Sequence, residues 1–252
     1  RELFVTGSIG ISIYPNDGTD VETLLKNSDP APHRAKEQGL DSFRLFAASM
    51  NAEAVQRLRL ESELRRALAR DELFVHYQPV VDLATGQIQS MEALLRWRNA
   101  EHGLVPPSEV VPIAERTGLL ASIGPWVLKK ACAQAKAWQS AGQRVSVAVN
   151  ISPRQLHHVD LVRHVVEALD GVSLEASLLE LEITESSAMQ NPEATIQTLN
   201  ALKSLGVRVS IDDFGMGYSS LSYLHRFPID ILKIDRSFVG RLTEEDDGPQ
   251  LG

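Results

Sequence analysis

Cysteine is nearly absent from this 252-residue sequence. The single thiol, Cys132, cannot close a disulfide within the chain and excludes a cysteine-built metal site, and it suits a reducing compartment. Long apolar runs are absent too. No stretch approaches the roughly 20 residues that a membrane-spanning helix needs, and no signal-peptide pattern is visible. Positive charge is also in short supply, with 25 Lys and Arg against 33 Asp and Glu and a net charge of −8. That balance excludes general attraction to a nucleic-acid polymer or an anionic membrane surface. An anionic ligand would have to be held by a few local cations or by a metal ion. An initiator Met is absent, and the chain begins at Arg1 inside a strand-like run. The sequence therefore reads as a cytoplasmic piece of a longer protein, whose upstream part could carry a sensor domain and a membrane anchor.

What is present is patterned. Residues 8–13 alternate like a strand and stop at the turn cluster Pro15, Asn16, Asp17, Gly18. Thr19 or Asp20 is placed to cap a helix through Leu24 and Leu25, and Phe43 to Phe46 suit one more short strand. From 48 to 70 the spacing is helical, with Leu60, Leu64, Ala67 and Leu68 on one face and Glu61 and Arg65 paired on the other. Two strands near 73–82 and 87–97 follow, joined by Ala84, Thr85 and Gly86. That link is too short for a crossover helix, so the pair is antiparallel. Beyond it helices alternate with strands. The helices are predicted near 108–118, 122–141, 153–169, 191–205 and 219–226, and the strands near 144–150, 177–184, 207–212 and 229–235. Ser152-Pro153 and Asn191-Pro192 read as helix starts, and Gly118 and Gly206 as stops. This grammar predicts an α/β fold with a parallel sheet covered by helices, a barrel or a doubly wound sheet. No Gly-x-Gly-x-x-Gly follows the first strand, which argues against a dinucleotide-binding fold.

Strand side chains alternate between faces. Glu92, Leu94 and Arg96 therefore oppose Ala93, Leu95 and Trp97, and Glu180 and Glu182 oppose their aliphatic neighbours. Asp212 lies with Ser210, Asn150 closes its strand, and Lys233 shares a face with Asp235. If helices cover the apolar faces, the polar faces point into a barrel whose active site lies at the C-terminal ends of the strands. Glu92, Asn150, Glu182, Asp212 and Asp213 then converge as an all-oxygen set at the point where a strand stops. Such a set suits one or two Mg²⁺ or Mn²⁺ ions, with Ca²⁺ as an inert competitor and inhibitor. Arg96 and Lys233 add cations suited to phosphate. Together these groups describe metal-assisted phosphoester hydrolysis. His157 and His158 sit side by side on a predicted helix, where neighbours diverge by about 100°, and do not form a joint ligand pair. Cys132, Trp126 and Trp138 read as packing.

A resemblance agrees with this reading. Tyr77-Gln78-Pro79, Glu92-Ala93-Leu94-Leu95-Arg96-Trp97, Val149 to Ser152, Leu181 to Glu185, Asp212-Asp213-Phe214-Gly215 and Leu232 to Phe238 resemble, in order, the motifs of the EAL family of cyclic-di-GMP phosphodiesterases. The resemblance implies a TIM-like barrel with an antiparallel first strand, a divalent-metal site, and hydrolysis of cyclic-di-GMP to linear pGpG. It further implies that Glu92, Asn150, Glu182, Asp212 and Asp213 are metal ligands and that Lys233 orients the catalytic water, with Glu92 and Asp212 also catalytic. Gln78, Leu94, Arg96 and Asp235 are implied as substrate contacts, Glu185 as the acid that steadies the loop after Asp213, and a homodimer as the assembly. Met216 departs from the family's Thr and removes a hydroxyl that could tie that loop to Glu185. The family pattern also continues past Phe238, so the barrel is expected to lack its last strands here. Ser8 to Asp20 and Arg34 to Gly39 look like the C-terminal part of a GGDEF (diguanylate cyclase) domain whose signature loop lies upstream of Arg1. The expected organisation is a GGDEF remnant at 1–47, a connecting helix at 48–70 and an EAL domain at 71–252. The competing function is a catalytically inactive module that binds cyclic-di-GMP and signals through a protein partner.

Overall fold

A computed structural model describes residues 7, 9–28, 43–216 and 224–240. The chain divides into two compact units, residues 1–66 and 67–252. In the first, β1 (Ile9–Ile11) pairs in parallel with β2 (Phe43–Leu45). Asp17 closes the turn after β1 by accepting a hydrogen bond from the Ile13 nitrogen at 2.6 Å. Asp20 then caps α1 (Val21–Ser28), accepting from the Thr23 nitrogen at 2.8 Å and from its hydroxyl at 2.7 Å. The resemblance at Arg34 to Gly39 falls outside the described residues. Helix α2 (Ala48–Ala67) stops three residues short of the expected end, with Leu60, Leu64 and Ala67 all buried and Glu61 and Arg65 ion-paired at 3.6 Å.

The second unit is built on one mixed sheet. Strands β3 (Leu73–Val81) and β4 (Ile88–Asn99) form the expected antiparallel hairpin. At its turn, Asp82 accepts hydrogen bonds from the nitrogens of Ala84 and Thr85 at 3.1 and 2.7 Å, the local chemistry that favours Asp in turns. A short β5 (Gly103–Val105) adds an antiparallel partner to the end of β4. The sequence pattern gave no sign of this strand, because three residues are too few to show alternation. Strands β6 (Ser146–Asn150), β7 (Leu179–Thr184), β8 (Arg208–Phe214) and β9 (Ile231–Ile234) follow in parallel, in chain order from β4. Among the described residues β3 and β9 end this path.

The helices are α3 (Pro107–Thr117), α4 (Leu120–Ser140), α5 (Pro153–Leu156), α6 (Leu161–Asp170), α7 (Glu185–Gln190), α8 (Pro192–Ser204) and α9 (Arg236–Gly240). Gly118 and Gly206 have positive φ of 74° and 89° and stop α3 and α8 as expected. Asn191 caps α8, accepting from the Ala194 nitrogen. The single helix expected at 153–169 is two. Leu156 and Leu161 are both buried but five residues apart, out of phase with any one helical face. His157 therefore caps the C-terminus of α5 instead of continuing it, and His158 pairs with Asp160 at 3.7 Å. The strand expected from 177 begins only at Leu179, after a 3₁₀ turn at Ala176–Leu178. The helix expected at 219–226 lies mostly outside the described residues.

The core lies where both faces of the parallel strands are covered. Leu179, Leu181 and Ile183 are buried on one side of β7, and Glu180 and Glu182 on the other. Trp97 is wholly buried and donates from Nε1 to Glu72 Oε2 at 3.0 Å. Cys132 is buried as expected, but Trp126 and Trp138 are only half-buried. Trp138 meets Tyr77 edge to face, with ring centroids 5.1 Å apart, and Lys130 Nζ lies 5.7 Å from the Trp126 ring centre. Both indoles lie near the rim because a large flat side chain serves well where one edge stays wet. No described helix is long and apolar enough to cross a membrane.

Candidate functional site

Parallel register sets the polar ends of β6, β7 and β8 beside one another. Asn150 of β6 is the neighbour of Glu182 on β7, and Thr184 of β7 is the neighbour of Asp212 on β8. Asn150 Nδ2 donates to Glu92 Oε1 at 2.8 Å. The backbone nitrogen of Ile151 donates to the carbonyl of Glu182 at 2.8 Å, which holds the end of β6 against β7. Lys233, on β9, makes an ion pair with Glu182 Oε1 and lies 3.7 Å from Glu92 Oε2. Four residues from four strands thus meet in one hollow.

Asp212 and Asp213 do not stop their strand, as the sequence reading expected. β8 runs through both to Phe214. Its pairing with β9 slips between Ile211 and Phe214, and Asp213 adopts φ 54°. Adjacent strand residues normally face opposite ways. A bulge with a left-handed residue removes that constraint, and Asp is among the few side chains that tolerate it. Asp213 consequently feels Asp212, Asp235 and Glu92 together. Burial first, then these neighbouring carboxylates, push its pKa up.

The electrostatics of the hollow are those of too many acids for one base. Glu182 is 1% exposed, and burial drives its pKa up to about 7; Lys233 pulls it down, while Glu92 and Asp212 push it further up. For Lys233, burial favours the neutral amine, but Glu182, Glu92 and Asp212 outweigh it and hold the ammonium above its usual pKa. Apart from the Lys233 ion pair, neither Glu182 oxygen has a hydrogen-bond partner among the described residues. One ammonium is the only counter-charge that these residues bring close to this buried carboxylate and its acidic neighbours, a setting in which a further cation is stabilising. The oxygen-only donor set fits a hard divalent ion. No three of the carboxylates Glu92, Glu182, Asp212 and Asp213 have oxygens mutually within 4.8 Å.

The remaining predicted residues fall into two groups. Gln78 is the cross-strand neighbour of Glu92, and Leu94 and Arg96 follow Glu92 on the same face of β4. Arg96 turns its Nη1 back to the Leu95 carbonyl at 2.9 Å. Asp235 sits just past β9 and caps α9, accepting from the Ser237 nitrogen at 2.8 Å. That bond and the Ser237 hydroxyl hold its pKa below the usual range. Glu185 is buried and accepts from the Gly215 nitrogen at 2.7 Å, at the start of the loop after β8. The Met216 side chain turns elsewhere, with its sulfur accepting from the Ser237 hydroxyl at 3.5 Å.

Sequence reasoning missed α7, whose first turn carries Glu185. The signal was there. Thr184 is an N-cap whose hydroxyl accepts from the Ser187 nitrogen. Ser210, which alternation puts on the face of Asp212, is the register partner of Glu182 and is wholly buried with its hydroxyl unpartnered among the described residues.

The chain spans about a third of the length of the curated relatives it matches. It is 46% identical over 248 residues, 98% of this chain and 36% of the relative, to the bifunctional diguanylate cyclase/cyclic di-GMP phosphodiesterase MucR of Pseudomonas aeruginosa. Against the cyclic di-GMP phosphodiesterase PdeR of Escherichia coli it is 38% identical over 94% of this chain and 36% of the relative. A solved structure of the PaMucR phosphodiesterase in complex with c-di-GMP superposes with a TM-score of 0.71 at 47% identity, covering 75% of this chain and 76% of that one. The Xanthomonas citri FimX EAL domain in complex with c-diGMP gives 0.69 at 28%, covering 78% and 77%. The mixed sheet with its antiparallel first pair is thus the TIM-like fold of these proteins. Residues 61–251 match the profile of the EAL domain, and the chain belongs to that family.

Proposed function

We propose that this chain hydrolyses cyclic-di-GMP to linear pGpG with one or two bound Mg²⁺ or Mn²⁺ ions, and that Ca²⁺ occupies the same place without supporting turnover. The observation that carries this reading is Glu182, a buried carboxylate whose one partner among the described residues is the Lys233 ammonium, grouped with Glu92, Asp212 and Asp213 around that single lysine. Glu92, Asn150, Glu182, Asp212 and Asp213 would hold the cation. When bound, it supplies Lewis acidity toward the phosphoryl oxygens and toward water.

The chain's own groups supply the rest. Around the free ligands the carboxylate neighbours of Lys233 outweigh its burial and hold its ammonium above the usual pKa. As an ammonium it is a donor at Nζ, suited to orient the attacking water and to stabilise charge on a phosphoryl oxygen. Asn150 keeps its amide nitrogen on Glu92 and leaves its carbonyl oxygen to face a ligand. Gln78, Leu94, Arg96 and Asp235 would line the dinucleotide. Arg96 would reach a phosphate once it leaves the Leu95 carbonyl, and Glu185 would keep the loop beyond Asp213 in place. The same proposal includes a GGDEF remnant at 1–47, a connecting helix at 48–70, the EAL domain at 71–252, homodimerisation, and a sensory region elsewhere in the longer protein.

The test is product analysis by chromatography after incubation with cyclic-di-GMP and Mn²⁺, with chelator and with Ca²⁺ in parallel. pGpG should accumulate only with Mn²⁺ and disappear in Glu92→Gln. Binding of cyclic-di-GMP without turnover under every condition would replace this reading with that of a receptor.

A further inference from the structure

A glycine inside a long helix costs about 1 kcal/mol relative to alanine and calls for a reason. Gly124 lies within the 21-residue α4 and is buried. A β-carbon there would stand 2.1 Å from Nε2 and 3.0 Å from Cδ of Gln155. The carboxamide of Gln155 thus occupies the space that the missing side chain leaves open. That carboxamide has a second task. Gln155 is the third residue of α5 and closes a capping box with Ser152: the Ser152 nitrogen donates to Gln155 Oε1 at 3.3 Å, and the Gln155 nitrogen donates to Ser152 Oγ at 3.3 Å.

Ser152 is two residues from Asn150. Over those two residues the chain turns from strand to helix, held by the bond from the Ile151 nitrogen to Glu182. The same short turn thus joins the Ser152 cap to the backbone from which the Asn150 side chain projects.

We propose that Gly124 and Gln155 are a positioning pair: the bare face of α4 seats the Gln155 carboxamide, the seated carboxamide locks the Ser152 cap, and the cap aims Asn150 at Glu92. The proposal rests on the reading of Asn150 as a ligand of the divalent ion. Neither residue touches that ion; both act through the loop. The contact also explains why the effect of a substitution would be local. Gln155 presents the far end of a flexible side chain, so it can yield to a methyl group at 124 by abandoning the cap, and alanine is the better helix former. Gly124→Ala should leave the fold intact and loosen Asn150.

Two measurements on the 252-residue chain test this. In metal-free protein, the Asn150 side-chain amide signals in a ¹H–¹⁵N spectrum should shift in both Gly124→Ala and Gln155→Ala. Titration of Mn²⁺, followed by the free-ion electron paramagnetic resonance signal, should show affinity reduced about 10-fold in each, the scale at which groups supporting metal ligands act. The double variant should match Gln155→Ala alone, because emptying the slot removes the penalty for filling it. Unchanged Asn150 signals and wild-type affinity in Gly124→Ala would overturn the proposal. So would additive losses in the double variant, which would mean that Gly124 acts through α4 itself. Asn150→Ala separates the two levels. If it weakens Mn²⁺ binding while Gly124→Ala and Gln155→Ala do not, the positioning pair is wrong and the ligand assignment stands. If it binds Mn²⁺ like wild type, the ligand assignment fails and takes the pair's effect on the cation with it.

Discussion

The Glu185 carboxylate accepts the backbone N–H of Gly215 at 2.7 Å, across 30 residues of sequence. The loop leaving β8 is thereby tied to the first turn of α7 through the main chain and not through the side chain at 216. The loss of a threonine hydroxyl at Met216 therefore need not release the loop at this point.

Glu185→Ala should destabilise the chain by about 1.5–3 kcal/mol, the usual worth of a hydrogen bond to a charged group. Glu185→Gln, which keeps a carbonyl acceptor, should cost less. Met216→Thr should change stability by less than about 0.5 kcal/mol, as expected for an exposed position. Urea denaturation of the three variants checks the order.

Asp213 combines a left-handed backbone with a carboxylate, and substitution can separate the two. Asp213→Asn keeps a side chain that accepts φ 54° and should fold like wild type while losing divalent-ion affinity. Asp213→Val should lose the affinity and also about 1–2 kcal/mol of stability, because a β-branched residue is strained there. Comparing melting temperatures and Mn²⁺ affinities of the pair is the check.

Metal-free protein should be more stable in mild acid than above neutrality as far as Glu182 is concerned. Its folded pKa of about 7 lies above the value of about 4.3 expected in the unfolded chain. The protonated form is therefore favoured by folding, and the contribution is complete below the unfolded pKa and lost as pH rises through about 7. Lys233, also raised, contributes stability that is lost only at alkaline pH beyond this window. Denaturation with chelator present should give a stability in wild type that falls between about pH 4.3 and about 7 relative to Glu182→Gln and levels off above. Adding Mn²⁺ should reverse the trend.

Cys132 should be silent to thiol reagents in the native state. It is wholly buried, and burial pushes its thiol up to about 12, so at pH 8 it offers neither access nor thiolate. A disulfide-exchange reagent should report no reaction until denaturant is added, and one equivalent afterwards.

The alternation of polar and apolar residues in β4 and β7 was legible because each strand meets different surroundings on its two faces; Glu92 and Glu182 follow from that alone. The bulge at Asp212 and Asp213 was not, since a strand pattern carries no record of one residue in the left-handed region. The break between α5 and α6 was in principle readable from the five-residue gap between Leu156 and Leu161, but was hidden by apolar residues continuing on either side. Arg96 and Asp235 show the limit of counting faces. Counting along β4 and β9 puts Arg96 on the face of Glu92 and Asp235 in step with Lys233, while their polar atoms bond to Leu95 and Ser237. The seat of Gln155 on Gly124 is invisible in sequence, because a close approach between helices leaves only a glycine behind.

The measurement that bears most directly on the central claim is the anomalous difference map of a crystal soaked in Mn²⁺. A peak within bonding distance of Glu92, Glu182 and Asp212, with the Lys233 ammonium displaced from Glu182, is the predicted result. Peaks confined to other surfaces, with Lys233 still paired to Glu182 at saturating Mn²⁺, would contradict it.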